Sequence, residues 1–346
     1  MDRLIVKNFG PLKDIDIELN RINLFIGENG SGKSVLGKII TIVLNLKNHM
    51  IDEENLFKKF REYYIDFLVN ETIIQFFIDE SLSFEIKEKQ INNRYSFKEY
   101  HSIIQAEIRR SQEKIIFENK LTSQYIPAER NLISIFNKYV TTFITADIPL
   151  PKFLLNFSSQ YVRAREEIRE LDLLNVKYKF ESNQEHIFYN NQDYLLLERS
   201  SSGIQSALPL YLTIKYFANK HHSIIIEEPE QNLFPKAQKE TVEFIIKQLG
   251  EENSLFMMTH SPYILTALNN LILANDVKNQ KGIEAIKGIV KENQCVAFED
   301  VNAYSLIDGK AIDIMDREDR IIGVNVIDSI SDEVNNIFDE LLAKLD

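Results

Sequence analysis

The chain contains a single cysteine, Cys295, and no tryptophan in 346 residues. One thiol can neither close an internal disulfide nor build a thiolate metal cluster, so a reducing compartment is the simplest setting. Glycine (11) and proline (8) are too scarce for a fibrous or low-complexity chain. No window approaches the roughly eighteen uninterrupted apolar residues of a membrane span. The opening "MDRLIVKNFGPL" lacks the apolar core and cleavage site of a secretory signal. A cytoplasmic protein without a membrane segment is therefore expected. There is no repeat and no heptad run long enough for a coiled-coil arm. A net charge of −12 argues against a surface that grips nucleic acid as a whole, while leaving room for a local basic groove.

Apolar residues make up 44% of the chain, enough to bury a sizeable core in one domain spanning 1–346. "KDIDIEL" alternates Ile15, Ile17 and Leu19 with Asp14, Asp16 and Glu18, the pattern of a half-buried strand. With "RLIVKNF" before it and "RINLFIG" after it, the chain opens as a short β-meander. Val35, Leu36, Ile39, Ile40 and Val43 then recur at helical spacing. Residues 62–88 return to strand-like runs, 99–118 read as helix, and about 131–180 reads as helices broken by "DIPLPKF". "HIFYNNQDYLLLE" signals a hairpin around Asn190-Asn191. From "SSSGIQSALPLYLTIKYF" onward, helices and apolar strands alternate, which predicts a mostly parallel α/β sheet. The tail, about 327–346, reads as one amphipathic helix.

At "GENGSGKS" the chain fits Gly-x-x-x-x-Gly-Lys-Ser. Glycines let the backbone turn so that successive N–H groups face phosphate oxygens, and the following helix presents its positive end to the same anion. Gly27, Glu28, Asn29, Gly30, Ser31, Gly32, Lys33, Ser34 and Val35 are the expected nucleotide contacts. Lys33 would meet the β- and γ-phosphates, and the Ser34 hydroxyl would ligate Mg²⁺. The bland alternative is a glycine loop that merely caps a helix, but an apolar strand before and an amphipathic helix after supply the context a cradle needs.

"SIIIEEPEQNLFP" places three isoleucines before two acids, as a buried parallel strand does when it delivers carboxylates to a sheet edge. Glu227 would hold the metal and Glu228 would activate the attacking water. Taken alone, such a pair is more often a solvated loop. In "MMTHSPYIL" an apolar strand ends on Thr259-His260 before a serine-capped helix. His260 is thereby a candidate for the γ-phosphate rather than an ordinary structural histidine. In "SSSGIQSALPL", Ser202 and Gly203 stand where a helix begins. They would suit an anion presented by a second subunit, and an ordinary serine cap explains them equally well.

Taken in order, these elements resemble an ABC-type ATPase head, more narrowly the compact branch with the RecF, SMC and OLD-type ATPases. "KNFGPLKDIDIEL" and "INLFIGENGSGKS" resemble that branch's opening, "SSGIQ" its signature, "IIIEEPEQNLFP" its Walker B segment and "MMTHSPYIL" its switch-histidine strand. The closing "NAYSLIDGKAIDIMDREDRIIGVNVID" resembles the tail of OLD-like bacterial AAA ATPases. "QYIPAER" is similar to a segment that brings an arginine, here Arg130, near the nucleotide. Ile204 replaces the signature's usual second glycine, and Glu227 replaces the commoner aspartate. The resemblance implies a P-loop α/β fold: an ABC-ATPase-like mixed sheet with an N-terminal meander and a β/helical insertion at about 45–195. It also implies ATP and Mg²⁺ as cofactors and ATP-dependent head-to-head homodimers or larger oligomers. A role in bacterial anti-phage defence or DNA maintenance beside a partner effector follows by analogy. No nuclease activity is expected, since the stretch after His260 is short and lacks Asp-x-Asp spacing.

The alternatives are a scaffold that binds ATP and sequesters an effector with little turnover, or the ATPase subunit of a membrane transporter. A GTPase is disfavoured because "NKYV" and "NKLT" lack the guanine-reading aspartate. Arg109, Arg110, Arg163, Arg165 and Arg169 form the arginine clusters. Arg165 and Arg169 could face DNA from one helix, although interleaved glutamates favour a solvated helix with i,i+4 pairs.

Overall fold

The computed structural model describes residues 2–48, 53–93, 123–136, 150–190, 192–220, 223–323 and 336–344. β1 (Asp2–Phe9) and β2 (Leu12–Leu19) form the expected antiparallel hairpin. Ile15, Ile17 and Leu19 are buried while Asp14, Asp16 and Glu18 face solvent, so the alternation in sequence is the alternation in space. β3 (Ile22–Ile26) has every residue buried and leads into α1 (Lys33–Asn48). α2 (Glu53–Glu62) precedes β4 (Ile73–Ile78), β5 (Ser81–Lys87) and β6 (Gln90–Asn93), which extend the hairpin's sheet outward. β7 (Gln124–Ile126) forms the far edge of the same sheet. Residues 45–195 thus supply strands to both ends of the main sheet as well as helices.

α3 (Asn131–Phe136) and α4 (Lys152–Glu167) follow. The expectation of helices through 180 fails here. β8 (Glu170–Leu173), β9 (Val176–Glu181), β10 (Gln184–Phe188) and β11 (Tyr194–Leu196) make a separate four-stranded antiparallel sheet. "ELDL" and "VKYKFE" bury every second residue, a period of two rather than 3.6, and Leu174 and Asn175 turn the hairpin with positive φ. The hairpin read around Asn190 is the β10–β11 pair. The helix read over 99–118 and the residues Arg109 and Arg110 lie outside the described residues.

α5 (Ser202–Phe217), β12 (Ser223–Glu227), α6 (Pro235–Gln248), β13 (Ser254–Thr259) and α7 (Pro262–Lys281) realise the expected alternation. β14 (Val301–Ile307) and β15 (Lys310–Asp313) complete the eleven-stranded mixed sheet, ordered β6-β5-β4-β1-β2-β15-β14-β3-β13-β12-β7. The five strands β14-β3-β13-β12-β7 are parallel, and the Ile and Leu runs of β3 and β12 are buried because helices or strands cover both faces. In the tail, residues 336–342 are helical, within the helix expected at about 327–346.

Arg165 and Arg169 do not share a solvated helix face. α4 ends at Glu167. The Arg165 side chain, 17% exposed, lies 3.5 Å from Glu185 Oε2 and over the Phe180 ring, where Arg169 also rests. Both tie the helix to the smaller sheet rather than presenting charge to a partner.

Candidate active site

Three parallel strands end at one edge of the sheet, and each delivers part of the site. β3 runs into the glycine loop, β12 into Glu227 and Glu228, and β13 into Thr259 and His260. In the loop, Gly30 and Gly32 hold φ of +81° and +99°, values that side chains with a Cβ rarely adopt. A Cβ on Gly27 would stand 2.6 Å from the Leu306 carbonyl oxygen, so β14 walls the loop on that side. Lys33 opens α1 and curls back over the loop, its Nζ donating to the carbonyls of Gly27 (2.6 Å) and Glu28 (2.8 Å), with Ser31 Oγ at 3.4 Å. Burial pushes the Lys33 ammonium below its ordinary pKa, opposed by Glu228, Glu230 and Glu227.

Glu227 is 3% exposed and accepts a 2.5 Å hydrogen bond from the Tyr125 hydroxyl. Burial raises its carboxyl pKa, against which the Tyr125 hydroxyl, Lys38 and the Ser34 hydroxyl all act. Glu228 takes φ of +45°, a strained value for a non-glycine residue. Backbone bonds hold it there: its N–H donates to the Met258 carbonyl at 2.8 Å, and its carbonyl accepts from Gln231 N–H at 2.9 Å and Arg130 Nη2 at 2.6 Å. Its carboxylate remains partly exposed, with Oε1 3.9 Å from His260 Nδ1.

A cavity of about 200 Å³ opens between the cradle (Asn29, Gly30, Gly32, Lys33, Ser34, Val35) and the carboxylates of Glu227 and Glu228. A larger one, about 390 Å³, lies past the Tyr125 ring between α1, α2 and α4, and no cradle residue lines it. The lining of the smaller cavity suits a phosphate chain with its divalent cation. It has a lysine held by carbonyls it can exchange for phosphate oxygens, backbone N–H groups at a helix start, and the hard oxygen ligands Ser34 and Glu227 facing one another.

The structure brings together Gly27, Glu28, Asn29, Gly30, Ser31, Gly32, Lys33, Ser34, Val35, Glu227, Glu228 and His260. Arg130 lies behind the carboxylate pair rather than in the cavity lining. Its side chain is 1% exposed, and its guanidinium donates to the carbonyls of Ser206 (3.1 Å), Pro127 (3.1 Å), Glu227 (2.7 Å) and Glu228 (2.6 Å). A guanidinium engaged by four backbone carbonyls is a buried strut, and Arg130 does not line the cavity. Ser202 and Gly203 start α5, capped by the hydroxyl of Ser201, and neither lines the cavity of its own chain. Sequence reasoning missed Tyr125 and Glu230. The third acid in "EEPE" was a signal for the latter, since a charge repeated in the turn beside the acidic pair has a cost if it is buried.

Residues 1–177 and 164–265 match the AAA ATPase domain family. The chain belongs to that family. A search of curated protein sequences returned no match for this AAA ATPase. Among solved structures it is similar to an Smc head domain with an extended coiled coil, bound to the C-terminal domain of ScpA and derived from Pyrococcus furiosus. That pair has a TM-score of 0.42 and 12% identity, over 97% of this chain and 100% of that one. The SMC head domain from Thermotoga maritima gives 0.41 and 13%, over 90% and 97%. The Clostridium perfringens cbiO1, part of the ABC transporter complex cbiONQ, gives 0.37 and 12%, over 90% and 88%. Among the described residues no helix is long and apolar enough to cross a membrane.

Proposed function

We propose that this AAA ATPase binds Mg·ATP in the glycine-loop cradle, hydrolyses it, and uses the cycle to close and open a homodimer or larger oligomer. The observation that carries the reading is the single cavity that places Lys33 and Ser34 opposite Glu227 and Glu228. Lys33 and the loop N–H groups would bind and orient the phosphates, and Ser34 and Glu227 would hold the cation. The cation, when bound, supplies neutralisation of phosphate charge. Glu228, held by its strained backbone at the cavity wall, would take a proton from water. His260, beside it, would meet the terminal phosphate.

Ser202 and Gly203 at the start of α5 would complete the site of a second copy. ATP can shift the closed–open equilibrium only by its preference for the closed state, and contacts from this helix start would supply that preference. By the resemblance to stand-alone compact ATPases, the switch would act through a partner effector in bacterial defence or DNA maintenance.

The test is the solution mass of the Glu228→Gln chain with and without Mg·ATP, together with phosphate release by the unaltered chain. Turnover that Glu228→Gln removes, with ATP-dependent doubling of mass, is the expected result. Turnover unchanged in that variant would remove Glu228 from the mechanism, and little phosphate release by the unaltered chain would favour the scaffold. A constant mass with ATP bound would remove Ser202 and Gly203 from the site.

A further inference from the structure

Glu230 carries a buried carboxylate, 4% exposed, on the turn that leaves β12. Its Oε1 gathers the end of the neighbouring strand. It accepts from the Thr259 hydroxyl at 2.7 Å and from the backbone N–H of His260 at 2.8 Å, and the imidazole Nδ1 lies 3.4 Å away. Oε2 is buried without a protein partner. Thr259 in turn accepts from Ser261 N–H at 2.9 Å, so one carboxylate oxygen organises the strand end, the histidine and the cap of α7. A carboxylate is expensive to bury, and one with half its oxygens unpartnered is a poor way to stabilise a turn. Holding the imidazole is a use that accounts for the position.

We propose that Glu230 is the positioning residue for His260. It fixes the peptide that carries the ring and holds the Nδ1–H tautomer, leaving Nε2 to face the terminal phosphate, as a donor when the ring carries its second proton. Glu228, whose Oε1 is 3.9 Å from the same Nδ1, is the other acid within reach, and the shorter distance belongs to Glu230. This rests on the ATPase reading of the site, with Glu230 acting through His260 and touching no substrate itself.

The experiment is a double-mutant cycle on the full chain with a spectroscopic check. Glu230→Ala is expected to lower kcat for ATP about 10–100-fold while KM moves less than about threefold. Glu230→Gln, whose amide oxygen accepts the same bonds, is expected to restore most of the rate. In a His260→Asn background the alanine substitution is expected to cost less than about twofold, because the histidine it acts through is gone. If the alanine variant does not fold, Glu230→Asp takes its place, one methylene too short to serve Thr259 and His260 together. Imidazole ¹⁵N shifts recorded in alkaline buffer should report Nδ1–H at His260 in the unaltered chain. They should report Nε2–H in the variant. An equal loss of rate in both backgrounds, or Nε2–H at His260 in the unaltered chain, would overturn the assignment. No phosphate release by the unaltered chain would sink the ATPase reading instead, and the ¹⁵N spectrum would still decide what Glu230 holds.

Discussion

Replacing Arg130 by methionine keeps most of the side chain's apolar volume and deletes four hydrogen bonds to buried carbonyls on three segments: the turn after β7, the end of β12, and α5. Bonds from a charged donor contribute about 1.5–3 kcal/mol each, roughly 6–12 kcal/mol for the set. Against this stands the cost of burying the cation. Burial pushes the guanidinium down from its ordinary value to about 10, an offset of roughly 3 kcal/mol at about 1.36 kcal/mol per pH unit. Bonds within one network are not additive, and the orphaned carbonyls would recruit water, so the low end applies. The expected loss is about 3–5 kcal/mol, or a fall in Tm of about 4–7 °C. Arg130→Lys should recover little, because a compact ammonium with three donors cannot span four carbonyls. Chemical unfolding followed by far-UV circular dichroism measures both variants, with phosphate release measured alongside. Because Arg130 grips the carbonyls of Glu227 and Glu228, turnover should fall further than ATP affinity. Stability within about 0.5 kcal/mol of the unaltered chain in both variants would refute the strut.

Lys33→Ala should lower turnover by about 10²–10³-fold, the cost of one preorganised cation at the phosphates, while unfolding stays cooperative; unchanged phosphate release would move the site elsewhere. Glu227→Gln should raise the Tm of the nucleotide-free chain at neutral pH. Folding raises this carboxyl, so the stability it contributes is complete below about 4.5 and is lost as pH rises through the folded value. The gap between variant and parent should widen from acid to neutral pH, and stabilisation by Mg²⁺ with nucleotide should vanish in the variant; a parent more stable at neutral pH would reverse the sign. Gly27→Ala forces a Cβ to 2.6 Å from the Leu306 carbonyl and should cost about 1–3 kcal/mol together with nucleotide binding, read by thermal shift with and without Mg·ATP.

The parts of the fold legible in sequence are those where local pattern and tertiary environment agree. The alternation in β2, the glycine loop and the all-apolar β12 each carry a signature that burial merely confirms. The hairpin of β8 and β9 was hidden by the helical "YVRAREE" run just before it and by a turn made of Leu174-Asn175 without a glycine. The pairing of β14 with β3 is a contact across 279 residues, Val301 with Ile22, which no local pattern announces. Yet it is what leaves Gly27 no room for a side chain. The carbonyl contacts of Arg130 were illegible for a related reason. An arginine after a strand edge looks available to a phosphate, and only the packing of α5 and the β12 turn around it shows that backbone carbonyls reach it first.

The turn after β12 explains how a change at the phosphate would be felt at α5. Its first residue, Glu228, lines the cavity, and Glu230 holds the His260 strand end. Its later residues press on α5: the Ser206 hydroxyl donates to Gln231 Oε1 at 3.0 Å, and a Cβ on Gly203 would lie 3.0 Å from the Asn232 carbonyl. Asn232 itself sits at a φ of +59°, so the turn is tightly wound, and Arg130 bridges its start to Ser206. These contacts connect Glu228 and His260 to the helix start that carries Ser202. If the proposed switch operates, this turn is the element with two positions, and Gly203 is the point where a bulkier side chain would bias it.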